Sequence, residues 1–168
     1  MPEGKGIREE KAWEIAAHME VKKDMRKAMI FFQQYGISTT LGVKIYNQYG
    51  NNIYQVIKEN PYQMADDING VGFRIADEIA SKVGIHTDSD YRIRCGLLYV
   101  LQQAMSEGHV FLPKEILEKR TVDLLGVSQE AVEKHIMDLA VDRKLVAKET
   151  GGSVCVYGAQ AHSVGLNT

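Results

Sequence analysis

Apolar residues recur along most of the chain at helical spacing. In DMRKAMIFFQQ, the apolar side chains fall at i, i+3, i+4 and i+7 counted from Met25, which is the spacing of an amphipathic helix. NIYQVIKEN, from Asn52, has a similar pattern, and Pro61 can open a short helix through YQMADDI. The first half of the chain is therefore predicted to be helical.

A glycine-rich turn precedes one of these predicted helices. INGVGF, at residues 68–73, places Gly70 and Gly72 one residue apart, and the helical pattern RIADEIASKVG follows at once. Glycine favours positive φ and close approach of another group. A helix that begins here leaves N–H groups without intrahelical partners at its positive end, a place that suits a phosphate. An ordinary helix start is the alternative interpretation of this segment taken alone.

The glycine turn belongs to an internal repeat. GISTTLGVKIYNQYG, from Gly36, matches GVGFRIADEIASKVG, from Gly70, at an offset of 34 residues without a gap. The matched pairs are Gly36 with Gly70, Ile37 with Val71, Leu41 with Ile75, Gly42 with Ala76, Ile45 with Ile79 and Gly50 with Gly84. A third, partial copy is predicted from Gly6, with Ile7, Ala12 and Ile15 in register. Each copy predicts a tight turn, then a helix with a small residue where two helices approach closely.

The pattern changes after residue 87. DYRIRCGLLYVLQQAMSEG predicts a long amphipathic helix, for which Asp88 or Asp90 is the expected N-cap. An extended HVFLP follows, then a helix opened by Pro113 and another with Ser128 as N-cap. KLVAKE and SVCVYG flank Gly151-Gly152, a strong hairpin signal. Helix, strand, helix, helix and a two-stranded wing is the order of a winged helix.

Composition limits the chemistry that the chain can carry. The 168 residues are 45% hydrophobic and 25% charged, as in a soluble globular protein. No apolar run is long enough to span a membrane and no signal peptide is evident, so we expect a cytoplasmic protein without membrane contact. Cys95 and Cys155 have no C-x-x-C or histidine spacing, so we predict reduced structural cysteines and no metal site.

The charge balance argues against a bulk electrostatic field for nucleic acid. The net charge is −2, and residues 1–35, 36–84 and 85–168 each carry nearly equal numbers of basic and acidic groups. Dedicated nucleic-acid binders usually show a basic excess. Binding of nucleic acid would therefore have to depend on local geometry.

ADDINGVGFRIADEIA is similar to the helix-hairpin-helix motif, in which apolar-Gly-apolar-Gly precedes a helix. In that family the hairpin amides hold a DNA backbone phosphate without reading bases. By matching position, the resemblance implies that Gly70, Val71 and Gly72 form the hairpin and that Phe73 adds an amide. Arg74 occupies the place where a basic residue often makes a second phosphate contact.

The other two copies depart from the motif. The middle copy keeps Gly36 and Ile37, but Ser38 replaces the second glycine and Thr40 replaces the basic residue. It is therefore predicted to be a weaker phosphate site, in which both hydroxyls can donate. Arg8 stands at the second-glycine place of the first copy, which is predicted to serve as scaffold.

A wider resemblance covers nearly the whole chain. YGISTTLGVKIYNQYG, ENPYQMADDINGVGFRIADEIASKVGI and DYRIRCGLLYVLQQAMSEGHVFLP together resemble the N-terminal region of RecD-like DNA helicases, also known as exodeoxyribonuclease V alpha chain or RecD/TraA helicases, from about Gly6 to Tyr157. The resemblance implies an ATP-dependent 5′ to 3′ helicase of DNA recombination and repair, with motor domains after this region. It also implies two partners, DNA in single-stranded or forked form and the helicase's own C-terminal motor domains.

The nucleotide-binding signature of those motors does not occur. No G-x-x-x-x-G-K-[ST] segment exists in the sequence, so the backbone cradle, lysine and Mg²⁺ ligand for nucleotide hydrolysis are missing. We expect a part of a larger helicase that ends before the motor. It has no predicted catalytic residue and no cofactor, and ATP and Mg²⁺ are expected only for the motor domains.

The sequence thus predicts a mainly α fold, with tandem helix-hairpin-helix repeats at 1–86 (the first copy partial), a winged-helix-like α+β domain at 87–158 and a tail at 159–168. The predicted function is DNA binding or positioning without sequence preference. Glu130 and Glu133 on the third helix of the winged-helix segment disfavour groove reading, so we expect it to dock or space.

Two other functions stay open. A docking module that contacts the motor or another repair protein, but not DNA, fits the near-neutral charge. A helix-hairpin-helix DNA glycosylase would use Asp88 or Asp90 as its catalytic aspartate. Such an enzyme also needs a base-flipping pocket between two helical subdomains, and no lysine nucleophile follows the hairpin.

Overall fold

The computed structural model describes the backbone of residues 2–159, with the side chains of residues 11–19 and 22–159. The chain divides into two compact units, Met1–Val71 and Gly72–Thr168. This division falls inside the predicted hairpin, whereas the predicted domain boundary at 86/87 stays a prediction. Residues 160–168 of the predicted tail lie outside the described residues.

The described part of the first unit is helical. Its α-helices are α1 (Pro2–Gln33), α2 (Thr39–Tyr49), α3 (Ile53–Glu59) and α4 (Gln63–Asp67), with a 3-10 turn at Gly50–Asn52 between α2 and α3. Gly42 lies where α2 meets α1, because an added Cβ would stand 3.0 Å from Met29 Sδ and 3.0 Å from Phe32 Cδ2. The predicted small residue therefore does permit a close helix–helix approach.

The turn predicted at Gly6 is wrong. Residues 2–33 form one continuous helix of 32 residues, and Gly6 lies inside it. The neighbouring glutamate, lysine and alanine residues are strong helix formers, and a single interior glycine lowers helix stability by only about 1 kcal/mol. None of the described helices, α1 included, is both long and apolar enough to cross a membrane.

The other two copies match residue for residue. α2 and α5 (Phe73–Val83) each contain 11 residues, and both begin and end 34 positions apart. The preceding glycines, Gly36 and Gly70, have φ of 72° and 99°. Each is followed by a buried apolar residue, and a small residue sits inside each helix. The repeat predicted from the spacing of glycines is confirmed for these two copies.

The second unit combines helices with a small sheet. After α5 come α6 (Asp90–Ser106), β1 (Phe111–Pro113), α7 (Lys114–Leu125), α8 (Gln129–Val141), β2 (Leu145–Thr150) and β3 (Ser153–Gly158). Its core is formed by apolar residues from every helix and from the strands, among them Ile79, Leu97, Leu117, Val132, Leu139, Leu145 and Val156. The mainly α fold with a small β segment, and the predicted order of elements after residue 87, are confirmed.

The sheet is antiparallel in the order β1-β3-β2. β2 and β3 are joined by Gly151-Gly152, whose φ values of 60° and 83° are those of a type I′ turn. Ser128 is the N-cap of α8, and its Oγ accepts from the Ala131 N–H at 3.2 Å. The N-cap of α6 is Ser89, so the prediction of Asp88 or Asp90 was wrong by one residue.

Candidate nucleic-acid interface

Gly70 makes the turn that follows α4. Its φ of 99° lies in the region that residues with a Cβ rarely adopt. The next residue, Val71, is only 3% exposed, and its N–H donates to the Ile68 carbonyl at 3.3 Å. The Val71 amide, which the sequence assigned to phosphate, is therefore already engaged within the turn.

Gly72 is the N-cap of α5. Its φ of −91° and ψ of 180° are ordinary extended values that any residue adopts, and an added Cβ would meet nothing within 4 Å. No side chain caps this helix, and the Gly72 N–H has no acceptor among the described residues. Neither backbone strain nor packing requires glycine here. What glycine does provide is an uncovered helix N-terminus.

The middle copy differs at this position. Ser38 is the N-cap of α2, and its Oγ accepts from the Leu41 N–H at 3.2 Å. A first-turn amide of α2 is thus satisfied by its own chain. Thr40 is exposed at the position that Arg74 occupies in the later copy. Of the two hairpins, the later one leaves its helix start open to an external acceptor.

Arg74 lies in the first turn of α5 and is exposed. Its Nε donates to the Tyr99 hydroxyl at 3.1 Å, a hydrogen bond that raises the pKa of Arg74. The Tyr99 ring packs against Phe73, with 5.4 Å between the ring centroids. Tyr99 therefore positions the guanidinium and leaves its two terminal nitrogens for another acceptor. A cation in the first turn opposes the helix dipole, and a bound anion would remove that conflict.

Lys44 is a further cation that the sequence analysis missed. It lies on α2 in the first unit, with its Nζ 3.9 Å from the point that a Cβ on Gly70 would occupy. Leu41, one turn earlier on α2, lies 3.8 Å from the same point. A phosphate beside Gly70 would come within reach of the Lys44 ammonium. Because these residues are far apart in sequence, only the packing of the repeat brings them together.

The acidic residues around the hairpin are held by other side chains. Asp67 accepts from the Tyr49 hydroxyl at 2.7 Å and from Gln63 Nε2 at 3.2 Å. Burial and the bond to Asp67 both raise the pKa of Tyr49 above its usual range. Asp77 pairs with Arg92 at 2.8 Å. The carboxylates of Asp67 and Asp77 are thus engaged within the fold.

Arg92 fixes the surroundings of α5. Besides Asp77 on α5, it donates from one terminal nitrogen to the carbonyls of Thr87 and Leu125, each at 2.8 Å. Its side chain is only 13% exposed. This single residue links α5, α6 and the C-terminal end of α7, so the helix that begins at Gly72 is held in place.

The aspartates of the glycosylase hypothesis have other partners. Asp88 pairs with His86 at 2.9 Å on the surface. Asp90 Oδ1 lies 3.1 Å from Nε2 of His135, a histidine of α8 that is only 4% exposed.

Glu133, also on α8, accepts a hydrogen bond from Lys114 at 3.0 Å, which raises the pKa of Lys114. In the part of the chain that the structure describes, no group of His, Cys, Asp and Glu could hold a metal ion.

Comparison with known protein families matches residues 21–111 to the family described as the ATP-dependent RecD2 DNA helicase HHH domain. The matched segment covers more than half of the chain and includes both glycine hairpins. The family description names ATP, and the P-loop segment G-x-x-x-x-G-K-[ST] does not occur in this sequence. The match agrees with the two glycine hairpins that lie in register. The chain therefore belongs to the RecD2 DNA helicase HHH domain family.

Proposed function

We propose that this chain is the region of an ATP-dependent 5′ to 3′ DNA helicase that binds and positions DNA without sequence preference. The observation that carries the proposal is the α5 N-terminus. Gly72 leaves it uncapped and open, although neither the backbone conformation nor the packing needs glycine there. The exposed Arg74 lies in the first turn of the same helix.

In the proposed complex, one backbone phosphate accepts hydrogen bonds from the Gly72 N–H and from amides of the first turn of α5. The terminal nitrogens of Arg74 bind the same phosphate or the next one, since guanidinium matches phosphate geometry. The helix dipole adds to the attraction. Because these contacts reach phosphate and not base edges, they carry no sequence information.

The proposed role is positional. We call the phosphate site formed by the Gly72 N–H, the first-turn amides of α5 and Arg74 the α5 grip. With one or two phosphate contacts it binds weakly, with a Kd on the order of 10⁻⁴ to 10⁻⁶ M. It is suited to holding single-stranded or forked DNA for the motor domains of the same helicase, during recombination and repair. We also propose that the winged-helix-like segment predicted at residues 87–158 spaces or docks the DNA-binding part against the motor.

A matched pair of variants tests the grip. Gly72→Ser gives the later hairpin the cap that Ser38 gives the middle one, so its Oγ competes with phosphate for a first-turn amide. Ser38→Gly makes the reverse change. Fluorescence anisotropy with labelled single-stranded, duplex and forked DNA at low salt should show weakening of about tenfold for Gly72→Ser, the loss expected when a charge-assisted contact is removed.

Two further variants, Ser38→Gly and Arg74→Gln, complete the experiment. Ser38→Gly is expected to keep or increase the affinity, and Arg74→Gln to weaken it while the fold is retained. Equal affinities of the unaltered chain, Gly72→Ser and Arg74→Gln would exclude the phosphate grip at α5.

A docking module is the second candidate, favoured by the surface of α8. Met137 is 63% exposed and Val141 is 79% exposed on this helix. Large apolar side chains at such exposure are typical of contact surfaces when they cluster. Failure of the unaltered chain to bind any of the three DNA forms would favour this candidate over the grip.

A further inference from the structure

A second basic surface lies on α1, away from the glycine hairpins in sequence. Lys22, Lys23, Arg26 and Lys27 are all exposed and occur within six consecutive positions. At about 100° per residue, an α-helix places these four side chains within an arc of about 140° on one side. We call this set the α1 basic face.

The opposite side of the same helical stretch is the packed one. Ala28 is 0% exposed and Phe32 is 1% exposed, whereas the α1 basic face points to solvent. Asp24, the acidic residue inside the run, is half-buried and falls outside the arc. No ion pair among the described side chains involves a member of the α1 basic face.

The arrangement is unfavourable for the isolated helix. Lys22 with Arg26 and Lys23 with Lys27 are like-charge pairs at i,i+4, which destabilise a helix. The helix dipole does not compensate, since its effect is confined to the last turn, and the last turn of α1 contains no basic residue. A repeated like-charge repulsion that no ion pair among the described side chains offsets is the pattern expected of a surface that binds a polyanion.

We propose that the α1 basic face is a second DNA-binding surface that contacts the phosphate backbone independently of the α5 grip. The run from Lys22 to Lys27 covers about 7.5 Å of helix, at about 1.5 Å per residue. Duplex DNA carries one phosphate charge per about 1.7 Å of its axis, so the same length presents about four phosphates. The four cations therefore correspond in number to about four phosphates, which are divided between the two strands.

The salt dependence of binding tests this surface. The variant Lys22→Gln/Lys23→Gln/Arg26→Gln/Lys27→Gln removes the four charges but keeps good helix formers. Its control, Lys11→Gln/Lys58→Gln/Lys119→Gln/Lys144→Gln, removes four exposed charges that are scattered over the chain. In a titration of labelled duplex DNA from 50 to 200 mM NaCl, the slope of log K against log[salt] should fall by about 3 to 4 for the first variant. The control should change it by less than about 1.

The outcomes separate this proposal from the α5 grip. Equal slopes of log K against log[salt] for the two variants would contradict DNA binding by the α1 basic face. So would an acidic peptide that binds to the α1 basic face and that DNA does not displace. If the fourfold α1 variant binds DNA more weakly and Gly72→Ser binds as the unaltered chain does, the α1 surface is supported and the α5 grip is contradicted. If only Gly72→Ser binds more weakly, the α5 grip is supported and the α1 surface is contradicted. No DNA binding by the unaltered chain contradicts both. If circular dichroism shows loss of helix in the fourfold variant, Lys22→Gln/Arg26→Gln and Lys23→Gln/Lys27→Gln replace it, each with half the slope change.

Discussion

Gly70 and Gly72 stand one residue apart and serve different purposes. Gly70 needs glycine for its conformation, since its φ is 99°. Gly72 has ordinary extended dihedral angles and open space around it. The sequence motif treats the two glycines as a pair, and only the structure separates a conformational requirement from a functional opening.

Serine substitutions at Gly70 and at Gly72 should change the free energy of unfolding in opposite directions. Gly70→Ser forces a side chain into the left-handed region and is expected to lower the free energy of unfolding by about 1 to 2 kcal/mol. Gly72→Ser should raise it by a few tenths of a kcal/mol at about the level of a serine cap. Urea unfolding followed by circular dichroism measures both. A larger loss for Gly72→Ser than for Gly70→Ser would contradict this account.

Some residue roles could be predicted from local sequence and some could not. Ser128 was identified as an N-cap because a capping residue next to a helical pattern is a local signal. Lys44 and Arg92 were missed because their partners lie far away in the chain, at Gly70 and at Asp77 and Leu125. Contacts of this kind follow from packing, which periodicity does not report.

At the level of the elements, the predicted offset of 34 residues is confirmed, because α2 and α5 begin and end 34 positions apart. The method failed for the first copy, where apolar residues in register lie in α1 without a turn. Apolar residues at helical spacing recur in any long amphipathic helix. The glycine at positive φ, followed by a buried apolar residue, is the part of the motif that identifies a true copy.

Arg92 should contribute most of the polar linkage around α5. Arg92→Met is expected to lower the free energy of unfolding by about 2 to 3 kcal/mol, because it removes the Arg92–Asp77 ion pair, whose two side chains are both largely buried. Arg94→Met is a matched control on the same helix, since Arg94 pairs with the more exposed Asp142. It should lower stability by less than about 1 kcal/mol. Equal effects in chemical unfolding would show that Arg92 does not hold the helices together.

Gly96 of α6 lies close to the Leu125 side chain at the end of α7. An added Cβ would lie 2.8 Å from Leu125 Cδ1 and 2.9 Å from its Cδ2. Gly96→Ala gains about 1 kcal/mol of helix propensity but overpacks the contact by about 2, so a net loss of about 1 kcal/mol is expected. In Gly96→Ala/Leu125→Ala the overpacking disappears, so the double variant should be more stable than additivity predicts. Strict additivity in thermal unfolding would contradict the close contact.

For the whole molecule, the net charge of −2 does not reveal that basic side chains cluster locally. Counting charges over residues 1–35 gives near balance, yet the helix places Lys22, Lys23, Arg26 and Lys27 on one exposed face. A charge average over a segment loses the angular position of each residue. The mainly α fold could be predicted from periodicity. The basic surface could not, because it depends on which side of α1 faces the solvent.

The two surfaces together predict how binding responds to salt. About five phosphate contacts correspond to a slope of log K against log[salt] of about −4 to −5 for duplex DNA and about −3 to −4 for a single strand. Anisotropy titrations over a range of NaCl concentrations measure both slopes. A slope shallower than about −1 on both forms would mean that neither surface meets the backbone.

The most direct test of the central claim is an ¹⁵N–¹H correlation spectrum of the chain, titrated with single-stranded DNA. Phosphate binding at the start of α5 should shift the amide signals of Gly72, Phe73 and Arg74 strongly. The signals of Ser38 and Thr40 in the capped middle hairpin should shift much less. Hairpin signals at Gly72–Arg74 that stay in place while DNA is bound would contradict the phosphate grip at α5.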